Sequence, residues 1–331
     1  MAVMPGVASL EEFQRAVDEF DITSSRLTID PAALAAGRQS LDQSGLLLLG
    51  EVHGVRQNAV LARALMAALD VTALALEWSA ELAAAVSGFF ADGRVPDHPH
   101  LWGGDGRITA EHFALLRERF LAARLRALTL FDGVHETGWS QGEAAMAERI
   151  LNAQTPGCRT LVIAGNAHTA LTPTMLGVPL GARLAEWRPG VREIRIRYGK
   201  GTYYNLSPRR FNHQFSLRRT ARLRAEGGSL VLDLPAPAQA WVPHRRPADP
   251  PRVKPSPAGY TGAFAAYRDQ PGLTPPEPAG EPGYPDFPGY PQQAIPPVPP
   301  GEPQGPGGPS APRGVPRRRT GRRDLTRTRR D

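Results

Sequence analysis

The sequence predicts an α/β domain, a mostly parallel sheet flanked by helices on both faces, followed by a disordered Pro/Gly-rich C-terminal tail. Three observations carry this expectation. Short, wholly apolar runs alternate with segments whose apolar residues recur at helical spacing, four times over between residues 46 and 164. Strands covered by helices on both faces read as such continuous runs rather than as alternating ones. Of the 34 prolines, 23 lie from Pro243 onward together with 12 glycines, a density that no packed core sustains.

The elements follow in order. Ser9 and Glu12 form a capping box before Phe13, Val17 and Phe20, which predicts a first helix over 9–20. Leu46–Leu49, closed by Gly50, is the first buried strand, and Val60, Leu61, Leu65 and Leu69 mark the helix after it. A second buried run, Ala73–Leu76, ends on Glu77, and Leu82, Val86, Phe89 and Phe90 carry the next helix. Thr109 caps another helix with Phe113, Leu116, Phe120 and Leu121 on one face. The third strand is Ala127–Phe131, ending at Asp132; Ser140 and Glu143 then suggest a second capping box before Met146, Ala147 and Ile150. Thr160–Ala164, ending at Gly165, is the fourth strand. Ile194–Tyr198 alternates with arginines, as a strand with one wet face does, and Ser229–Leu234 is the last strand.

This divides the chain into an α/β domain over 1–242, a Pro/Gly-rich disordered linker over 243–312 and an Arg-rich basic tail over 313–331. The net charge of +7 belongs entirely to that tail, whose nine arginines face two aspartates; residues 1–312 sum to zero. One cysteine, Cys158, excludes a disulfide framework and a cysteine-based zinc site. No secretory signal is visible in MAVMPGVASLEEF, and no apolar run approaches the roughly 18 residues of a membrane span, so the expectation is a cytoplasmic protein.

Ligands of open parallel sheets bind outside the carboxyl ends of the strands. The four predicted strands exit there into Glu51 and His53, Glu77, Asp132 and His135, and Asn166 and His168. Glu51 and His53 are two apart, a spacing that puts both side chains on one face of extended backbone; Asn166 and His168 repeat it. A strand-end carboxylate can merely cap a helix, and a lone loop histidine is usually a surface residue. Four ionisable exits on one sheet edge are harder to dismiss. Glu51, His53, Glu77 and His168 are therefore the candidate catalytic set, with Arg56, Asn58, Trp78, Asp132, His135 and Asn166 as candidate substrate-binding residues. Trp78 can either wall a pocket or pack in the core. Two chemistries suit the set: a histidine takes a proton from water while a carboxylate orients it, or the same four residues bind a divalent metal that activates water. The residues do not choose between them. His135-Glu136 lacks the second histidine of a zincin helix, and no dinucleotide or Walker A loop is present.

The strings LLLLGEVHGVRQN, LALEW and LVIAGNAHT, followed by LGVPLGARL, resemble the superfamily of erythromycin esterase-like enzymes, ChaN-like haem-binding uptake proteins and Tiki-type proteases. The resemblance covers residues 40–190 and rests on Gly50, Glu51 and His53, on Glu77, and on Gly165, Asn166 and His168. It implies one of three things. On the esterase side, His53 is the general base on water, oriented by Glu51, with His168 and Glu77 completing the site. On the Tiki-like side, a divalent metal sits among the same residues. On the ChaN-like side the protein binds haem, although that branch's surface lipoproteins carry a signal and a lipidated cysteine that this sequence lacks near its start.

The tail sets a rival expectation, a non-catalytic module delivered to an anionic partner. RRRTGRRDLTRTRR suits phosphates, whether of nucleic acid or of an anionic membrane surface. The run Ile295–Pro300 can dock on a domain that binds Pro-rich motifs, or act as a spacer. The α/β domain itself is expected to take a small-molecule ligand or substrate.

Overall fold

The structure, a computed structural model, describes residues 7–24, 26–102, 104–121, 124–133, 138–213 and 220–243. The chain divides into two units, Met1–Pro275 and Pro276–Asp331, and the described residues belong to the first. The tail and all of the linker but Pro243, which is in β12, lie outside the described residues, as does His135. Among the described residues no helix is long and apolar enough to cross a membrane.

The elements run β1 (Val7–Ala8), α1 (Leu10–Glu19), β2 (Leu27–Ile29), α2 (Pro31–Ser44), β3 (Leu46–Glu51), α3 (Gln57–Ala68), β4 (Ala73–Ser79), α4 (Ala83–Asp92), α5 (Ala110–Leu121) and β5 (Ala127–Asp132). They continue with α6 (Trp139–Asn152), β6 (Thr160–Gly165), α7 (Leu180–Trp187), β7 (Glu193–Tyr198), β8 (Gly201–Tyr204), β9 (Pro208–Phe211), β10 (Ala221–Glu226), β11 (Ser229–Leu234) and β12 (Val242–Pro243). Eight strands form one sheet in the order β2-β10-β11-β7-β3-β6-β4-β5. Every neighbouring pair is parallel except β10 with β11. The four strands read as buried runs are thus the adjacent block β3-β6-β4-β5, and their carboxyl ends share one edge.

The pleat of β3 shows how the layers form. Leu46 and Leu48 face a smaller core with Met146 and Ile150 of α6 and Leu180 and Leu184 of α7. Leu47 and Leu49 face the larger core with residues of α1, α2, α3 and α5. All four leucines are fully buried, each worth about 1.5–3 kcal/mol against exposure. Helices on both faces cover the strands, as the apolar runs predict. On β7, Arg195 and Arg197 stand exposed between buried Ile194, Ile196 and Tyr198, which is the wet face expected there.

Two local expectations change. The capping box at Ser140 and Glu143 is not one: α6 starts at Trp139 with Gly138 as its cap, and Glu143 points into the site instead. Helix α2 leaves no helical period in the sequence because its buried stripe is Ala33, Gly37, Ser40, Leu41 and Ser44, too small and polar to show as a period of large apolar residues. Ser9 with Glu12 does form its capping box on α1.

Candidate functional site

Each strand end delivers its group for a local reason. Glu51 closes β3 on the face of Leu47 and Leu49. His53 follows two residues on, and its Nδ1 lies 3.1 Å from Glu51 Oε1, as the spacing predicts. Gly54, at φ +69°, turns the chain sharply. Its N–H donates to Gly106 O at 2.8 Å, and its carbonyl accepts from Tyr204 N at 3.1 Å and Ala240 N at 3.0 Å. A Cβ at Gly54 would collide with the Tyr204 carbonyl, so this clamp on the His53 loop requires glycine.

Glu77 sits where the β4–β5 register shifts between Leu76 and Ser79, an irregularity of the kind that re-aims a side chain at a sheet rim. Its Oε2 accepts the Gly165 N–H at 2.6 Å. His168 lies beyond β6, with Nδ1 2.5 Å from Glu143 Oε1 and its ring stacked on the Trp139 indole at 4.7 Å. The other Glu143 oxygen accepts the Leu180 N–H at 2.6 Å. Gly165 is the floor between the two imidazoles: a Cβ there would stand 3.2 Å from His53 Nε2 and 3.4 Å from His168 Cδ2.

The result is symmetric. His53 Nε2 is 3.7 Å from Glu77 Oε2, and His168 Nε2 is 3.5 Å from Glu77 Oε1. Both gaps exceed hydrogen-bond length, so Glu77 attracts both rings without occupying their Nε2 atoms. Each imidazole remains 15% exposed, enough for a small reactant to reach. Arg107 completes the cluster, 3.2 Å from Glu77 Oε1, 2.8 Å from Asp132 Oδ2 and, through Nε, 2.6 Å from Asp105 Oδ2. Burial opposes the charge on Glu77, but His168, Arg107, His53 and the Gly165 N–H together pull its pKa down to about 2. Burial likewise opposes the imidazolium of His53 and His168; the Glu77 charge and their Nδ1 carboxylates outweigh it and raise both.

The remaining candidates take other places. Trp78 is buried, packs on Phe113 of α5 and donates its indole N–H to Arg107 O at 3.0 Å; of its two expected roles it takes packing, while its ring also borders the cavity beneath the site. Asn58 is buried and fixes the loop, donating to Val52 O at 2.9 Å and accepting from Tyr198 Oη at 3.0 Å. Arg56 turns to Glu111 at 3.7 Å and lies over the Phe20 ring. Asn166 is exposed, and its backbone N–H binds Glu51 O at 2.9 Å. Among the described residues, Asp132 joins the cluster through Arg107.

Sequence reasoning missed Arg107, Asp105, Glu143 and His112. Two of these left a signal. Glu143 shares the buried stripe of Met146, Ala147 and Ile150, and His112 shares that of Leu115 and Leu116. A charged or polar residue on an apolar helical stripe marks a partner waiting on the sheet. Arg107 left none, because its loop is Gly-rich and follows no strand.

The four residues considered for a metal do not converge as ligands. The two Nε2 atoms approach different oxygens of Glu77 from beyond hydrogen-bond range, and the Arg107 guanidinium already stands as the cation against that carboxylate. Among the described residues no group of three or more His, Cys, Asp or Glu side chains is arranged to hold a metal ion. The cavity beneath the site measures about 10 Å³, room for one water, so it cannot itself enclose a haem or another small molecule, which would have to sit on the exposed face of the two imidazoles. The segment Gly138–Gly142, GWSQG, has the spacing of a serine nucleophile elbow. Ser140 nevertheless lies inside α6, is absent from the positive-φ residues that such an elbow requires, and holds Arg183 Nη2 at 3.0 Å through its Oγ.

No protein-family model matches the chain. No curated protein matches it either. Among solved structures, a succinoglycan biosynthesis protein is similar at 10% identity and TM-score 0.46, over 71% of this chain and 99% of that one. A protein from Bacillus cereus aligns at 10% identity and TM-score 0.44, over 72% and 100%. The toxin of Pasteurella multocida, whose C-terminal region has a thiol-protease like catalytic triad, aligns at 11% identity and TM-score 0.32, over 57% and 29%. Likenesses this remote say nothing of activity.

Proposed function

We propose that the chain is a hydrolase of the erythromycin esterase-like kind that cleaves an uncharged ester by general acid–base catalysis. One observation carries this reading: two imidazoles, each anchored at Nδ1 by a buried carboxylate, present Nε2 to the two oxygens of a shared third carboxylate. Neutral His53 takes a proton from water at Nε2 while Glu51 holds the ring and its tautomer. The water oxygen attacks the carbonyl carbon. When the tetrahedral intermediate collapses, the C–O bond breaks and His168 Nε2–H protonates the leaving alkoxide. Glu77 between the rings favours one imidazolium in the pair, and the proton gained by His53 resets His168.

Electrostatics narrows the substrate. Glu51, Glu77, Glu143, Asp105 and Asp132 surround one arginine and two imidazoles among the described residues, so the cluster disfavours an anionic ester. Phosphate esters are poor candidates and neutral carboxylic esters good ones.

The test is hydrolysis of p-nitrophenyl acetate beside p-nitrophenyl phosphate, with His53→Ala and His168→Ala. Loss of a base of this kind removes about 10²–10⁴ in rate. Full activity in His53→Ala would overturn its role as base.

A further inference from the structure

We infer that His112 is a positioning residue of this site, its Nε2–H joined through one water to the second oxygen of Glu51, so that Glu51 is held between two imidazoles and keeps its first oxygen on His53. The inference rests on the reading of His53 as base given above.

Glu51 and His112 are each only 2% exposed. Glu51 Oε2 and His112 Nε2 have no hydrogen-bond partner among the described residues. They face each other at 3.9 Å, too far for a direct bond. A buried polar atom left without a partner costs about 1–3 kcal/mol, and more for a charged group, so two facing one another need a mediator. The cavity they border is also lined by His53, Glu77 and Arg107, and its volume of about 10 Å³ matches one water with several polar partners.

The direction of the hydrogen bonds follows from the other ring nitrogen. His112 Nδ1 lies 3.1 Å from Thr109 Oγ1. That oxygen also accepts the His112 backbone N–H at 3.3 Å, and we assign its one hydroxyl hydrogen to Nδ1, an assignment that the His112 tautomer reads directly. Nδ1 is then an acceptor and Nε2 carries the hydrogen. Nε2–H donates to the water, and the water donates to Glu51 Oε2. Burial lowers the His112 pKa, which keeps the ring neutral and suited to this role. A histidine that merely filled the α5–sheet layer would have no reason to aim a second nitrogen at the carboxylate that orients the base.

The test has two arms. Long-range nitrogen–proton NMR on the full chain at pH 7 reads the His112 tautomer directly. The Nε2–H form is expected; the Nδ1–H form or an imidazolium overturns the inference. The second arm compares His112→Leu with His112→Gln on p-nitrophenyl acetate. With the protein folded, the leucine variant is expected to lose about 10–100-fold in kcat with KM little changed, as removal of a group that orients a catalytic carboxylate does. Glutamine, whose amide N–H can still donate, is expected to recover most of it. Wild-type kcat in the leucine variant, or equal loss in both, overturns the inference. If the wild-type chain leaves the ester intact, the hydrolase reading fails while the tautomer still decides the His112 hydrogen bond; an unfolded leucine variant leaves that same decision to the first arm.

Discussion

Arg107 binds Glu77 and Asp132 with one nitrogen, Nη1, at 3.2 and 2.8 Å, and so ties together the carboxyl ends of β4 and β5. Glu77 is buried, and among the described residues Arg107 is its one fixed positive partner besides the two histidines. Truncation to Arg107→Met leaves that carboxylate with the two imidazoles and the Gly165 N–H as its remaining partners. We expect a loss of about 3 kcal/mol in urea unfolding, with Arg107→Lys intermediate. Unchanged stability in the methionine variant would show that the guanidinium contributes no net stabilisation.

Because the guanidinium already supplies the cation beside Glu77, dialysis against EDTA is expected to leave both the melting temperature and ester hydrolysis unaltered. A loss restored by zinc or manganese would show that a metal has a place in the site.

Two glycines set the imidazole positions. Gly54→Ala places a Cβ against the Tyr204 carbonyl at a φ of +69°, so we expect at least about 2 kcal/mol of destabilisation together with a fall in activity. Gly165→Ala inserts a methyl between the two rings and is expected to reduce kcat more than stability. Gly88→Ala, in an open position on α4, is the control: it is expected to stabilise by up to about 1 kcal/mol and leave activity unchanged. Similar thermal shifts in all three would contradict the steric account.

The histidines and Glu111 give pH signatures of the same sign from one cause, a folded pKa above the unfolded one. For His53 and His168 the gain in stability is complete below about 6.5 and is lost as pH rises through the folded values. Hydrolysis needs neutral His53, so kcat/KM is expected to climb over that same interval. Glu111 is pushed up to about 7 by burial, against hydrogen bonds from its own backbone and from Trp241 and the charge of Arg56. Folded Glu111 holds its proton between about 4.5 and 7 where the unfolded chain has released it, so stability falls as pH rises through that window. Glu111→Gln is expected to be more stable than the wild type at pH 8, on the order of 2 kcal/mol, and nearly equal at pH 5. Equal effects at both values would mean that Glu111 titrates normally.

Much of the fold was legible because its central strands are unambiguous. Leu46–Leu49 and Thr160–Ala164 are runs that only a sheet buried on both faces accommodates, and capping at Ser9 and Thr109 marks two helices. The pair Glu51 and His53 was legible from the pleat alone, since a two-residue offset returns to the same face. Glu143 was misread because Ser-x-x-Glu is also the signature of a cap, and only the position of α6 against β6 reveals which partner the carboxylate takes.

The sequence by itself determined which groups leave the strand ends, since the buried runs and their exits are local facts of residue order. The tertiary structure decided which of those groups meet. Strand order brings β3, β6 and β4 side by side, so that His53 and His168, 115 positions apart, face one carboxylate across Gly165. It also supplied Arg107, His112 and Glu143 from a loop and two helices. Their contacts with the sheet are long-range, and no period or spacing along the chain encodes them.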